Sequence, residues 1–286
     1  YKALEASKAW SKAEMIAPKQ FREEISPYFN ANPKKYISAL VSEDCWQATP
    51  GKVVDLVRNL GIAAGGTVME DCRVLEACRE GKYTSVLVQT HDKKYVEYRT
   101  EHFVNALGSG AGKLCDSMGI DAGLYPVRHQ AFITRRLPML GKHGTNLDML
   151  IDRQDYKGFS AVYGQQIAYT GQIIGCASPK LDAMRIDKNL KVNTKAFLEI
   201  VSEMFSEWIP DLAGVGIQAV WAGYYTEPRY IVDPELGLFV GMRGHGFMLS
   251  QYIARMYVDK LLGRPVPEYF EKLKLNGPGL SEKAFK

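Results

Sequence analysis

The sequence has few cysteines and no long apolar run, and both absences narrow the class of protein. No stretch approaches the roughly 18 apolar residues of a membrane-spanning helix, so no membrane span is expected. No secretory signal pattern opens the sequence. An odd set of thiols without a Cys-x-x-Cys pair predicts reduced, buried cysteines in a cytoplasmic, reducing compartment, rather than a disulfide framework or a zinc site. The five cysteines are Cys45, Cys72, Cys78, Cys115 and Cys176.

The sequence also has few histidines and no cluster of charges of one sign. None of the five histidines lies in a His-Glu-x-x-His motif, so no catalytic metal is expected. The 36 Lys and Arg are scattered among 32 Asp and Glu, which gives a net charge of +4 without a basic stripe and argues against a nucleic-acid partner. The 46% hydrophobic and 24% charged residues are typical of a globular chain of one large domain or two small ones.

Apolar periodicity and helix-capping residues predict three main helices. Thr49-Pro50 begins the first helix, which ends at Gly65-Gly66. The second follows Asn193-Thr194, presents its apolar residues on one face and stops at Pro210. The third runs from about Gly246 to Gly263.

Extended runs alternate with these helices. Strands are predicted at 36–42, 67–78, 83–90, 95–106, 128–135, 147–177, 221–225 and 238–240, and residues 2–30 are expected to form short helices and loops. The last of the three runs of the meander ends in the apolar segment 102–108, which has no charged residue after His102 and is therefore expected to be a buried strand. This order predicts an α/β fold of the mixed α+β kind with an antiparallel sheet.

The stretch 238–248 is the strongest candidate site. An apolar strand leads into a turn with glycines at 241, 244 and 246, which flank Arg243 and His245, and a helix follows. The start of such a helix offers backbone N–H donors and the positive end of the helix dipole, which suits an anionic or electron-rich ligand. A purely structural turn is the alternative.

Two other glycine-rich stretches do not match the motifs that they suggest. Residues 103–113 fail as a phosphate loop because Leu107 and Leu114 stand where Gly and Ser or Thr are needed, although a glycine turn near a ligand is still possible. Residues 214–219 fit Gly-x-Gly-x-x-Ala, but the predicted helix lies before the motif and the predicted strand after it.

Several segments together resemble the D-amino-acid-oxidase-type FAD oxidoreductases, in particular the glycine oxidase and sarcosine oxidase/dehydrogenase branch. The resemblance extends from about Tyr36 to Pro267. It rests mainly on Trp221-Ala222-Gly223 and on the Gly-His-Gly-Phe turn at 244–247. Weaker matches are Thr49-Pro50, Val74, Asn105–Gly108 and Pro126–Gln130.

The resemblance implies part of an FAD-binding domain of the glutathione-reductase type together with a substrate domain built on an antiparallel sheet. Residues 1–112 would belong to the FAD-binding domain, with a helical insert and a β-meander. Residues 113–227 would form the substrate domain, and residues 228–286 would return to the FAD-binding domain with the C-terminal helix.

The resemblance also implies non-covalently bound FAD and oxidation of a C–N bond in a small amine or amino acid by hydride transfer to the flavin. The expected catalytic residues are His245, Arg243 and Tyr225. The expected substrate contacts are Arg128, Gln130, Tyr224 and Trp46, with a core position as the alternative for Trp46. The candidates for a carboxylate clamp are Arg243, Arg229 and Arg128. Arg243 ranks first because it borders the flavin turn, and a surface salt bridge is its alternative. The expected cofactor contacts are Val74, Gly108, Ser109, Gly223, Gly244, His245, Gly246, Phe247 and Met248.

Three departures from the family pattern keep other functions open. The sequence has no N-terminal strand–GxGxxG–helix, so a partner polypeptide is expected to supply that unit, unless it was removed or FAD binding was lost. The family has other residues at the positions of Arg243 and Met248. It also has an arginine where this sequence has Tyr224 or Tyr225, and together these differences leave the substrate undetermined. The alternatives are a non-catalytic scaffold or assembly subunit and one subunit of a hetero-oligomeric dehydrogenase.

Overall fold

Tertiary contacts divide the chain into two units, and each unit has its own core. The computed structural model describes residues 13–26, 28–30, 34–42, 46–138, 140, 147–152, 159–167, 170–179, 190, 194–210 and 213–279. Unit 1 comprises the described residues of Tyr1–Gln47, Arg128–Ala183 and Lys188–Gly223. Unit 2 comprises those of Ala48–Val127, Met184–Asp187 and Tyr224–Lys286.

Seventeen elements are used below, and they alternate along the chain as a mixed α+β fold. The strands are β1 Ala13–Ile16, β2 Ala39–Ser42, β3 Arg73–Glu80, β4 Tyr83–Gln89, β5 Tyr95–Thr100, β6 Tyr125–Thr134, β7 Leu150–Asp152, β8 Phe159–Ile167, β9 Gln172–Pro179, β10 Ile217–Glu227, β11 Ile231–Asp233 and β12 Leu238–Val240. The helices are α1 Pro18–Gln20, α2 Pro50–Ala63, α3 Ala111–Ser117, α4 Thr194–Trp208 and α5 Gly246–Leu261.

Unit 1 is organised by a five-stranded sheet in the order β10-β6-β9-β8-β7, against which α4 packs. The apolar residues of α4 recur at helical spacing and become the centre of the core. Phe132 of β6 contacts Phe205 of α4 edge-to-face, with 5.5 Å between ring centroids. Buried Asp152 accepts hydrogen bonds from Trp208 Nε1 at 3.0 Å and from Tyr36 Oη at 2.9 Å. The α4 side chains in this core are Phe197, Ile200, Val201, Met204, Phe205 and Trp208.

Unit 2 contains the β-meander β3-β4-β5, the pair β11-β12 and helices α2, α3 and α5. The meander is antiparallel, with Val74 opposite Val88 and a bulge between Val74 and Glu76. Leu114 of α3 is buried with Ala77, Val86 and Val88 of the meander. A second cluster places α5 residues Ile253, Met256 and Tyr257 beside Val232 of β11.

The structure confirms the predicted helices but corrects several details. A short strand, β1, pairs with β2, where short helices and loops were expected. The run at 95–106 is a strand only to Thr100, so the expectation of a long strand there is wrong, and His102 is exposed outside it. Cys78 is exposed rather than buried. Asn193, His143 and Cys45, which carried minor predictions, lie outside the described residues.

Helix α2 is exposed, although its sequence is apolar. None of its side chains is buried, and Leu60 is 60% exposed. An isolated helix of this length is marginal in water, and apolar helix faces in stable proteins are normally covered. Within the part of the chain that is described, no helix is both long and apolar enough to cross a bilayer.

Candidate functional site

The strand–turn–helix at 238–248 lies in unit 2 and is held in an unusual backbone conformation. After β12, Gly241 has a φ of +71°, which glycine adopts easily. Arg243 has a φ of +50°, a region that costs a non-glycine residue about 1–2 kcal/mol. Since Arg243 nevertheless occupies this position, its side chain is expected to make compensating interactions.

An ion pair supplies that compensation. Arg243 Nε donates a hydrogen bond to Glu227 Oε2 at 2.5 Å, and the two side chains are only 19% and 16% exposed. Glu227 is the last residue of β10, so the pair ties the turn to the end of that strand. The Arg243 guanidinium is therefore partly committed to a protein carboxylate.

His245 interacts with a tyrosine that the sequence analysis did not identify. Tyr230 Oη and His245 Nδ1 lie 2.5 Å apart, and the ring centroids are 6.2 Å apart. Burial, together with the positive charge of Arg243, lowers the pKa of His245 below its usual range. Burial raises the pKa of Tyr230. Both side chains are therefore neutral near pH 7.

The ring of Tyr225 packs closely against Gly244. A Cβ atom built at Gly244 would lie 2.7 Å from Tyr225 Cε2, which is too close for two non-bonded carbons. The ring of Tyr225 therefore lies directly on the glycine backbone. This contact brings one predicted catalytic residue onto a predicted cofactor-binding residue.

The start of α5 is uncapped by side chains. Its N-cap residue, His245, makes no side-chain capping hydrogen bond to the described helix, and the first turn contains no acidic residue. Phe247 and Met248 are exposed. The first turn of a helix carries orphan N–H groups and a partial positive charge, so this end of α5 is suited to an electron-rich ligand.

The turn at 105–108 lies beside this strand–turn–helix. Buried Asn105 pairs with Leu238 in a parallel bridge: its N–H donates to Gly237 O at 2.8 Å, and Phe239 N–H donates to its carbonyl at 3.0 Å. The Asn105 side chain donates to Ala111 O at 3.0 Å and accepts from Leu107 N–H at 3.3 Å. The structure thus brings together two of the stretches that the sequence analysis singled out.

The backbone at Gly108, in the same turn, is open to a ligand. Gly108 has a φ of +56°, and a Cβ built there would meet no atom within 4 Å. Ser109 follows it, half-buried, in the short turn Gly108–Gly110 that leads into α3. Val74, in the same unit, is half-buried on β3 against the cluster that contains Leu114.

Four of the predicted site residues belong to unit 1. Arg128 and Gln130 lie on β6 and are only 8% and 2% exposed. Gly223 is exposed on β10, and a Cβ there would meet nothing within 4 Å. Trp46 is 96% exposed, so the alternative that placed it in the core is wrong. Tyr224, the next residue after Gly223, is half-buried and begins the last segment of unit 2.

Sequence reasoning missed Glu227 and Tyr230. Neither belongs to a motif, and they lie 16 and 15 residues before their partners Arg243 and His245. The positive φ of Arg243, which demands a compensating contact, is visible only in the structure. The identity of that contact depends on how β10 and the turn fold together.

Comparison with solved structures defines the class of fold. L-proline dehydrogenase from P. horikoshii superimposes with a TM-score of 0.73 at 24% identity, covering 92% of this chain and 68% of that chain. Glycine oxidase from Geobacillus kaustophilus superimposes with a TM-score of 0.73 at 16% identity, covering 94% of this chain and 68% of that chain. Glycine oxidase from Bacillus cereus superimposes with a TM-score of 0.69 at 16% identity, covering 94% of this chain and 71% of that chain. The fold is therefore that of FAD-binding amino-acid oxidases and dehydrogenases.

The sequence pattern of the DAO family, FAD-dependent oxidoreductases, matches residues 1–260. The chain belongs to this family, which confirms the resemblance inferred from its motifs. FAD is accordingly its cofactor. A comparison with curated protein sequences finds no match.

The residues present fit a flavin. The exposed glycine at 108 and the uncapped start of α5 leave backbone that a flat ligand could approach. Within the described residues, no group of His, Cys, Asp and Glu could hold a metal ion.

Proposed function

We propose that this chain oxidises a C–N bond of a small amine or amino acid, with FAD as the hydride acceptor. The observation that carries the proposal is the pairing of Asn105 with Leu238, because it joins the turn at 105–108 to the strand that leads into the turn at 244–246. Two glycine turns joined by this backbone bridge are suited to hold parts of one flat ligand.

FAD, when bound, supplies the two-electron chemistry by accepting a hydride at flavin N5. The chain's own backbone would hold the flavin and oppose its negative charge with the dipole of α5, without reorganising during the reaction. His245 is our candidate for a side chain beside the ring. Val74, Gly108, Ser109, Gly223 and the segment Gly244–Met248 are the proposed cofactor contacts.

An amino-acid substrate would need a cation for its carboxylate, and an arginine provides the best geometry. Arg229 donates to the carbonyls of Gly277 and Leu275, and Arg243 donates to Glu227. Arg243 is our first candidate for the clamp because it borders the glycine turn, and Arg229 and Arg128 are the other candidates. Gln130, Tyr224, Tyr225 and Trp46 remain proposed substrate-side residues.

We further propose that polypeptide beyond the sequence given, in the same chain or in a partner, supplies the GxGxxG unit that holds the diphosphate. The uncovered apolar face of α2 supports this, because Val54, Val57 and Leu60 are all largely exposed. Val258 and Leu261 of α5, in the same unit, are also exposed. A strand–turn–helix unit is the kind of element that covers such helix faces.

The experiment compares His245→Ala with His91→Ala in the protein assembled with its FAD. His91 is exposed in the turn between β4 and β5 and serves as the matched control. We expect His245→Ala to slow anaerobic bleaching of the flavin by a panel of amines, imino acids and amino acids, and His91→Ala to leave the rate unchanged. An equal rate in both variants would remove His245 from the site.

The same preparation separates the alternatives. A protein that binds no flavin when fully assembled would favour the scaffold function over the enzyme. Substrate-dependent peroxide would indicate an oxidase. Dye reduction without peroxide would indicate a dehydrogenase subunit that passes electrons to a partner.

A further inference from the structure

We propose that Tyr230 is a positioning residue: its hydroxyl holds His245 in the tautomer with the proton on Nε2, so that Nε2–H is the donor available to a bound ligand. This inference deepens the proposed function. It rests on that function only for the identity of the ligand, which would be the flavin or its substrate. The hydrogen-bond geometry itself stands on the structure alone.

The first step is the contact between the two side chains. Tyr230 Oη lies 2.5 Å from His245 Nδ1, within hydrogen-bond reach. Among the described residues, Nε2 takes part in no hydrogen bond. Tyr230 therefore occupies one ring nitrogen and leaves the other for a ligand.

The second step is the direction of the hydrogen bond. A neutral imidazole has one N–H and one unprotonated nitrogen, and the partner of one nitrogen decides which it is. A phenol is a better donor than an imidazole N–H, and an imidazole nitrogen is a better acceptor than a phenol oxygen. Tyr230 Oη–H therefore donates to Nδ1, which puts the proton on Nε2.

The third step is the charge around the pair. Within the part of the chain that the structure describes, the ionisable groups that act on this site are Tyr230, Arg243 and Glu227. The Arg243 cation opposes protonation of His245, and Glu227 forms an ion pair with Arg243. The pKa of His245 lies below its usual range, chiefly because of burial. The imidazole is thus neutral at pH 7, and its tautomer, rather than its charge, determines what it offers a ligand.

The test is ¹⁵N NMR of ring-labelled histidine in the assembled flavoprotein and in Tyr230→Phe, which keeps the ring and removes only the hydroxyl. We expect His245 to carry its proton on Nε2, with Nδ1 accepting a hydrogen bond. In Tyr230→Phe, a population with the proton on Nδ1 should arise. Tyr252→Phe is the matched control, because Tyr252 lies on α5 but its hydroxyl contacts Tyr269.

Flavin reduction provides a second readout. Loss of one hydrogen bond that orients the donor is expected to lower kcat about five- to tenfold in Tyr230→Phe with little change in KM. A proton on Nδ1 in the unaltered protein, or an unchanged tautomer in Tyr230→Phe, would overturn the positioning role. A protein that shows the expected tautomers but binds no flavin would contradict the proposed function and leave the positioning role standing.

Discussion

Arg243 shows how a single residue at the site balances two opposing demands. Its backbone lies in the left-handed region, which is unfavourable for an arginine, while its side chain forms a largely buried ion pair with Glu227. A glycine would adopt this φ without strain but could not make the pair. The presence of arginine therefore indicates that the ion pair, and through it the link to β10, outweighs the strain.

Substitutions at Arg243 should separate the cost of its backbone strain from the contribution of its ion pair with Glu227. Arg243→Ala keeps the strain and loses the pair, whereas Arg243→Gly loses both. We expect Arg243→Ala to have a free energy of unfolding about 1 kcal/mol lower than Arg243→Gly, measured by urea denaturation. Both variants should be less stable than the parent, because Glu227 loses its partner. Equal stabilities would show that the φ of residue 243 carries no strain.

His129 predicts a pH dependence of stability. Burial lowers its pKa from 6.5 to about 4 in the folded protein. Between those two values the unfolded chain binds a proton that the folded one does not, so stability is fully present above pH 6.5 and falls as the pH drops towards 4. The slope attributable to one such group is at most about 1.4 kcal/mol per pH unit.

The measurement compares free energies of unfolding of the parent and His129→Gln from pH 7 to pH 4. Carboxylates titrate in both proteins, so the difference between the two curves isolates residue 129. We expect the curve of His129→Gln to be flatter. Parallel curves would mean that His129 titrates normally in the folded state.

At the scale of elements, the informative contrast is between α2 and α4. Both have apolar residues at helical spacing, but α4 is the centre of the unit 1 core and α2 has no buried residue. Periodicity predicts that a helix has an apolar face, and it does not say what covers that face. The uncovered face of α2 is the structural support for the proposed nucleotide-binding polypeptide.

Charge substitutions on α2 test this proposal. Leu60→Asp places a carboxylate on the apolar face, and Asn59→Asp, about 100° around the helix, is the control. If the face is covered in the assembled protein, Leu60→Asp loses the burial of a leucine, about 1.5–3 kcal/mol, and should bind less flavin. Asn59→Asp should bind the normal amount. Equal flavin contents would indicate that the face of α2 stays in water.

At the scale of the whole molecule, the chain is two units that the polypeptide crosses more than once. Strands β6 and β10 each pass from one unit to the other. The site residues of 224–248 and 105–109 belong to unit 2, whereas Arg128 and Gln130 belong to unit 1.

Cofactor removal provides the prediction at this scale. FAD bound only to the folded state stabilises it by RT ln(1 + [L]/Kd), or about 2.7 kcal/mol at 100 times Kd. We expect a lower Tm after FAD is removed from the assembled protein and recovery when FAD is added back. Acid precipitation should leave the yellow colour in the supernatant. A yellow pellet would contradict non-covalent binding.

Sequence reasoning succeeded where the signal is local. The spacing of apolar residues from Phe197 to Trp208 predicted a helix with one apolar face, and the glycines around His245 predicted a strand–turn–helix; the structure has both. It failed where the signal is distant. The pairing of β1 with β2, the full exposure of Trp46 and the partners of Arg243 and His245 all depend on chain segments brought together by folding.

The amino-acid sequence determined by itself the family, the main helices and the turn at 241–246, because glycine conformations and apolar periodicity act over a few neighbouring residues. Only the tertiary structure decided that Asn105 lies beside Leu238, that Glu227 holds Arg243 and that Tyr230 holds His245. Those contacts join residues separated by 15 to more than 100 positions, and no local preference encodes such distances.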